Sequence, residues 1–204
     1  MKKIVVALAL VVSSAVAWAQ PARIPVNDLN TGTNNKPNNN TTNSPNTTTT
    51  TSSELKKYSD PKGRYTIGYP GDWKFDDKSE NAVFKITSPA ENGEDKFFQY
   101  LNLQIEEINS GTTVDDYVKT NMDAVKDFVK GYREVSSMFF NRNGSRAYQI
   151  IYKGKPGEMT YDVQIKQLFC VSNGKGYVLT YLSKEGERDA YETTANKIFN
   201  SFKF

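Results

Sequence analysis

Between Tyr132 and Ser183 the chain alternates apolar and polar side chains and is cut three times by turn-forming residues, a pattern that few folds can accommodate. YREVSSMFF runs into Asn143-Gly144, the strongest short hairpin signal because both residues tolerate positive φ. RAYQIIYKG then reaches Lys155-Pro156-Gly157, YDVQIKQLFCV reaches SNGKG, and YVLTYLS ends the series. Alternation with period two puts successive side chains on opposite faces, so this stretch predicts four consecutive antiparallel strands. In the third of them Tyr161, Val163, Ile165, Phe169 and Val171 share one face. The other face carries Asp162, Gln164 and Lys166 and then Leu168 and Cys170, so it is predicted wet at one end and covered at the other.

The front of the folded part reads the same way. Tyr65, Ile67 and Tyr69 share one face of a strand, Pro70-Gly71-Asp72 forms a turn, and Trp73 and Phe75 resume beyond it. Phe84 and Ile86 alternate with polar neighbours, and Leu101, Leu103 and Ile105 oppose Asn102, Gln104 and Glu106 after the loop SPAENGED. A helix is predicted from about Thr113: Thr112 or Thr113 can cap it, Asp115 and Asp116 favour its positive end, and Gly131 can close it. Its apolar stripe is Val114, Tyr117, Val118, Met122, Val125, Phe128 and Val129. A last helix is predicted over 187–200, burying Tyr191, Ala195, Ile198, Phe199 and Phe202. The sum is an α+β domain, an antiparallel β-sheet of about seven or eight strands packed by two main helices.

The 204-residue chain opens with two lysines, an apolar run from Ile4 to about Val16, and Ala17-Trp18-Ala19 before Gln20. That is the pattern of a secretory signal peptide over residues 1–19, with Ala17, Ala19 and Gln20 defining the cleavage point. The run is interrupted by Ser13 and Ser14, well short of the roughly 20 apolar residues a membrane span needs, so no stable membrane anchor is expected. Residues 20–56 are rich in Asn and Thr and nearly devoid of apolar side chains after Leu29. Such a composition cannot offset the entropy of ordering and predicts a disordered linker, leaving residues 57–204 as the folded domain. The single cysteine, Cys170, lies far from the cleavage point and forms no intrachain disulfide, so an exported, periplasmic or secreted domain must rest on core packing.

Charge and composition then narrow the function. Of 26 basic and 23 acidic residues, Lys2, Lys3, Arg23, Lys36 and Asp28 precede Glu54, so the remainder carries equal numbers of each sign. A neutral domain offers no field for phosphate, and no nucleic acid partner is expected. Histidine is absent altogether, which excludes Ser-His and Cys-His nucleophilic machinery and metal sites built on imidazole. The carboxylates are scattered through loops, and no glycine-rich phosphate loop occurs. The expectation is a protein that is not an enzyme, with no catalytic, cofactor-binding or metal residue assigned and no cofactor.

Local alternatives can be weighed residue by residue. Asp72, Asp76, Asp77 and Glu80 lack the ordered spacing and sharp-turn glycine of a calcium loop and read as a solvated loop. Asn143-Gly144-Ser145 spells a glycosylation sequon, but the hairpin turn accounts for it. Cys170, beside Leu168 and Phe169, reads as a small buried hydrophobe rather than a reactive thiol. Trp73 reads as a plug over the sheet edge, with a sugar-stacking platform as the alternative.

The succession of YTIGYPGDWKF, strands, a capped helix, a four-strand meander and the terminal ANKIFNSFKF resembles the PsbP-like family. The matching residues are Tyr65, Ile67, Tyr69, Pro70 and Trp73 at the front and Ile198, Ser201 and Phe202 at the back. The resemblance implies an α/β/α sandwich and a non-catalytic mode of action. Photosynthetic members dock on photosystem II, and a eukaryotic structural relative binds the Ran GTPase. What it implies here is an exported accessory or protein-binding module with a protein partner in the cell envelope. Two alternatives stand beside it: a periplasmic ligand-binding domain for glycan or calcium, using Trp73 or the Asp76-Asp77 loop, and an extrinsic photosystem II-type subunit if the host is photosynthetic.

Overall fold

The structure, a computed structural model, describes residues 54–91, 97–185 and 190–204. The predicted signal peptide, its expected cleavage residues Ala17, Ala19 and Gln20, and the predicted linker up to residue 53 lie outside the described residues, as do 92–96 of the SPAENGED loop and 186–189.

Two sheets and two helices make up the rest. β1 (Lys56–Ser59) and β2 (Thr66–Tyr69) form a hairpin of their own. β3 (Lys74–Asp76), β4 (Phe84–Thr87), β5 (Tyr100–Glu107), β6 (Val129–Arg142), β7 (Ser145–Pro156), β8 (Val163–Ser172) and β9 (Lys175–Lys184) form a seven-stranded antiparallel sheet in the order β3-β4-β5-β9-β8-β7-β6. The helices are α1 (Val114–Phe128) and α2 (Glu192–Ser201). The predicted meander is present, with hairpins at Asn143 (φ 51°) and Gly144 (φ 79°) and at Asn173 (φ 50°) and Gly174 (φ 69°). Positive φ at both centres is the geometry whose twist matches that of the flanking strands.

Strand alternation divides the core into two layers. One face of the sheet sends Ile150, Tyr152, Val163, Ile165, Phe169, Val178 and Leu182 against Val114, Tyr117, Val118, Met122 and Val125 of α1. The other sends Phe84, Ile86, Leu101, Leu103, Leu168, Cys170 and Leu179 against Ala195, Ile198 and Phe199 of α2 and against Tyr65 and Ile67. Helices on opposite faces of one sheet make the α/β/α sandwich. Tyr117 lies so close over β9 that a Cβ at Gly176 would collide with its ring.

Thr113 caps α1: its hydroxyl accepts from the Asp116 N–H at 3.1 Å, and Asp116 answers at the cap backbone, a reciprocal capping box. The far end departs from expectation. Gly131 does not close the helix, because Val129 already has extended dihedrals and begins β6 with no loop between. Gly131 (φ 68°) instead sits where the β6–β7 register shifts between Lys130 and Arg133, supplying the left-handed residue of a bulge. The last helix also starts later than residue 187, at Glu192, after Ala190 and Tyr191 in a turn.

β2 is the other departure. The turn at Pro70 is present, with Trp73 N–H donating to the Pro70 carbonyl at 3.2 Å, but it does not join two strands of one sheet. It carries the chain from the β1–β2 hairpin to the edge of the main sheet. The hairpin is fixed at its tip by Asp60, whose carboxylate accepts from the Arg64 backbone N–H and from its guanidinium at 2.8 and 2.9 Å. Its outer side is fixed by Thr66 and Lys203, which exchange two backbone bonds of 2.8 and 2.9 Å.

Candidate functional site

One surface left without an internal partner among the described residues is the outer edge of β6. Among the described residues this strand pairs with β7 alone, and every residue from Arg133 to Phe139 is exposed. Val135 is 54% exposed and Met138 56%, high values for apolar side chains. The two register shifts, Lys130/Arg133 and Glu134/Ser136, fall in the first half of the strand. From Ser136 to Arg142 the pairing with β7 is unbroken, Ser136 opposite Ile151 and Arg142 opposite Ser145. Phe139 leans on Tyr148, with ring centroids 4.6 Å apart, and the Arg146 guanidinium lies 4.0 Å from its centroid. The other edge of the sheet, β3, has only three residues.

Charge is uneven along β6. Lys130 stands opposite Lys155, and Arg133 opposite Lys153. Glu185 bridges the second pair, at 3.0 Å from Arg133 and 3.1 Å from Lys153, and these cations hold its carboxyl below the usual range. At the opposite end Arg142 turns inward. Its guanidinium donates to the Phe202 carbonyl at 2.9 Å and to the Phe199 carbonyl, satisfying the orphan acceptors at the C-terminus of α2. Burial of this side chain lowers its pKa. Sequence reasoning missed Arg142, because its partners lie 57 and 60 residues away.

Polar groups also enter the interior under α1. Cross-strand register aligns Asp76, Lys85, Asn102, Thr180 and Gln167 in one row. Tyr152 donates to Gln167 at 3.1 Å, and Gln167 donates to Thr180 at 3.1 Å, so these buried groups satisfy one another. A groove of about 370 Å³ lies at one end of the sheet, between the loop Glu107–Thr112 and the hairpin around Asn173. Its lining residues are mostly small and polar, and the adjacent helix terminus is already occupied by the Thr113–Asp116 box.

The residues singled out from the sequence do not converge. Trp73 is buried, 4% exposed, with Tyr191 edge-on to it at 5.3 Å. It is a plug, and no ring face is left for a sugar. Cys170 is buried at the sheet centre, and burial pushes its thiol up to about 12 against a weak opposing pull from Arg142. Asp76 accepts from the Lys78 backbone at 2.9 Å, and Asp77 accepts from the Tyr58 hydroxyl at 3.4 Å. Among the described residues no three carboxylates or thiols gather as metal ligands would. Asn143 occupies the hairpin tip. The tyrosines at the core, Tyr65, Tyr100, Tyr117 and Tyr152, all have pKa values raised, chiefly by burial.

One antiparallel sheet with a helix on each face and an added N-terminal hairpin defines the class, an α+β sandwich. The chain belongs to the PsbP-like family: the family model described as PsbP-like protein matches residues 4–204, taking in the N-terminal segment as well as the folded part. No curated protein sequence is similar to it at a significant level. Among solved structures it is similar to cyanobacterial PsbP (CyanoP) from Synechocystis sp. PCC 6803, at 20% identity and TM-score 0.53, covering 73% of this chain and 91% of that one. It is similar to LpqN, involved in cell envelope biogenesis of Mycobacterium tuberculosis, at 14% identity and TM-score 0.51, covering 74% and 86%. The Saccharomyces cerevisiae Ran-binding protein Mog1p shares the fold at 9% identity and TM-score 0.53, covering 74% and 96%. Identities this low establish the common fold alone.

Proposed function

We propose that this chain is an exported, non-catalytic accessory protein of the cell envelope that works by holding a protein partner. The observation that carries the reading is the β6 edge, a long exposed strand with apolar side chains at Val135, Met138 and Phe139. Exposed edges of this kind pair readily with other chains, and proteins ordinarily shorten, charge or cover them. The start of the sequence, with its Ala17-Trp18-Ala19 site before Gln20, supports export. LpqN is described as acting in envelope biogenesis and Mog1p as binding Ran, so binding and envelope roles both occur on this fold.

Interior chemistry points the same way. The thiol and the core tyrosines are held protonated by burial, and Asp60 and Glu185 are held ionised by cations, which leaves these groups poorly placed to exchange protons near neutrality. The test is to express the full chain in its own host and size it in gently solubilised envelopes. The reading expects a complex larger than the monomer that disappears on dilution with excess purified chain. A monomer in every envelope fraction, together with turnover of ester, peptide or glycoside substrates at neutral pH, would contradict it.

A further inference from the structure

Resting on the reading that this chain holds a partner, we propose how it does so: the partner adds one extended strand, antiparallel, to the outer edge of β6 from Ser136 to Asn141, and the C-terminal end of that strand is acidic.

The first step concerns the backbone. A strand paired on one side only presents a row of unpaired N–H and C=O groups, and the chemical match for that row is another extended backbone. Bulges interrupt this row at Lys130/Arg133 and Glu134/Ser136 but not beyond, and β6 contains no proline. The regular half, SSMFFN, is also uncharged, so no bulge, proline or charge guards it. Every pair in the main sheet is antiparallel, and continuing that pattern keeps the stronger ladder.

Side chains set the next requirement. Met138 and Phe139 are consecutive and therefore point to opposite faces, so an added strand would meet an exposed apolar side chain on each face. An alternating peptide of β-branched residues matches such a surface.

Charge then decides between occupants. The first half of the edge carries Lys130 and Arg133, backed by Lys155 and Lys153, against the carboxylates of Glu134 and Glu185. Lys130 and Lys155 lie directly opposite each other, a repulsive pair that a nearby carboxylate would relieve. A second copy of this chain, laid antiparallel, would set that basic end near the other copy's Arg142, which is turned into the end of α2, and its Arg146. The carboxylate neighbouring Arg146, Asp115, is already engaged at 2.9 Å, so a second copy brings no free carboxylate there. An acidic C-terminal end on a foreign strand falls beside Lys130 and Arg133 and is attracted.

The experiment uses the full chain and two labelled synthetic peptides of alternating valine and threonine, one with a glutamate-rich C-terminus and one with a lysine-rich C-terminus. Anisotropy is expected to show roughly tenfold tighter binding of the glutamate peptide, and amide exchange is expected to slow at Ser136–Asn141. The double variant Arg133→Glu, Lys155→Glu reverses the preference, and Met138→Ser, at a side chain 56% exposed, weakens both peptides while the melting temperature holds. Equal affinity for the two peptides, protection at another surface, or self-association of the chain through β6 overturns the proposal. Photo-crosslinkers placed at Met138 and at Thr193, an exposed residue of α2 on another surface, separate this failure from that of the partner reading in the native envelope. Crosslinks to one envelope protein at Thr193 alone refute the edge and keep the partner, whereas silence at both positions in an envelope where the chain runs as a monomer refutes the partner.

Discussion

Gly68 donates its backbone N–H to the hydroxyl of Ser201 at 2.7 Å, joining β2 to the last residue of α2 across 133 residues of sequence. The same hydroxyl lies 2.7 Å from the Ile198 carbonyl, to which it donates. Around this link Tyr65 and Phe202 approach to 6.2 Å between centroids, so the front and back segments that carry the family resemblance form one packing unit.

Removing that hydroxyl tests the unit. Ser201→Ala leaves the Gly68 N–H without its acceptor and should lower stability by about 1–3 kcal/mol. Gly68→Ala should also destabilise, since a Cβ there sits 3.0 Å from Leu55 and 3.2 Å from the Ser201 oxygen. Urea unfolding of both variants checks this, and a midpoint unchanged by Ser201→Ala would mean the link is incidental.

Asp60 gives a pH dependence of known sign. The Arg64 guanidinium beside it holds its carboxyl below the ordinary range, so its stabilising contribution is present above that range and is lost as pH falls through the depressed value. At neutral pH, Asp60→Asn should cost about 1–3 kcal/mol, the worth of hydrogen bonds to a charged group. The gap between wild type and variant should close at pH values below about 4. A gap that stays constant into acid would show that the carboxylate charge is not what matters.

Cys170 should resist alkylation. With the thiol pushed up to about 12 and no exposed surface, maleimide at mildly alkaline pH should label the chain only as fast as it unfolds globally. Labelling rates measured across urea concentrations are expected to track the unfolding equilibrium. Prompt reaction of the native chain would contradict the burial.

Trp73 offers an optical test of the same interior. Trp18 departs with the predicted signal peptide, so emission from the chain beginning at Gln20 reports Trp73 alone. Its burial against Tyr191 predicts blue-shifted fluorescence, little quenching by iodide and no response to glycans. Ready quenching together with a glycan-induced shift would restore the stacking platform.

Local rules made much of this fold legible. Asn143-Gly144 marked its hairpin because the backbone demanded positive φ there, and Thr113 marked the start of α1 because its hydroxyl reaches only one turn ahead. Alternation in β8 foretold both core layers, down to Leu168 and Cys170 replacing the polar side chains. What stayed hidden is set by distant partners. β5 pairs with β9 rather than with β6, because α1 carries the chain across the sheet to its far edge. Nothing near Tyr65 announces that β2 leaves the main sheet to pair with β1 and Lys203. Gly131 looked like a helix terminator because a bulge glycine and a capping glycine share the same φ. The β6 edge was legible as a strand but not as an edge, since edge position is a property of the whole sheet order.

Amide exchange on the full chain, alone and with the proposed envelope partner added, tests the central claim most directly. The account predicts that the free chain exchanges faster at Ser136–Asn141 than along β8, and that partner binding slows exchange there above all. Protection of Ser136–Asn141 equal to β8 in the free chain, or partner-induced slowing confined to another surface, would contradict it.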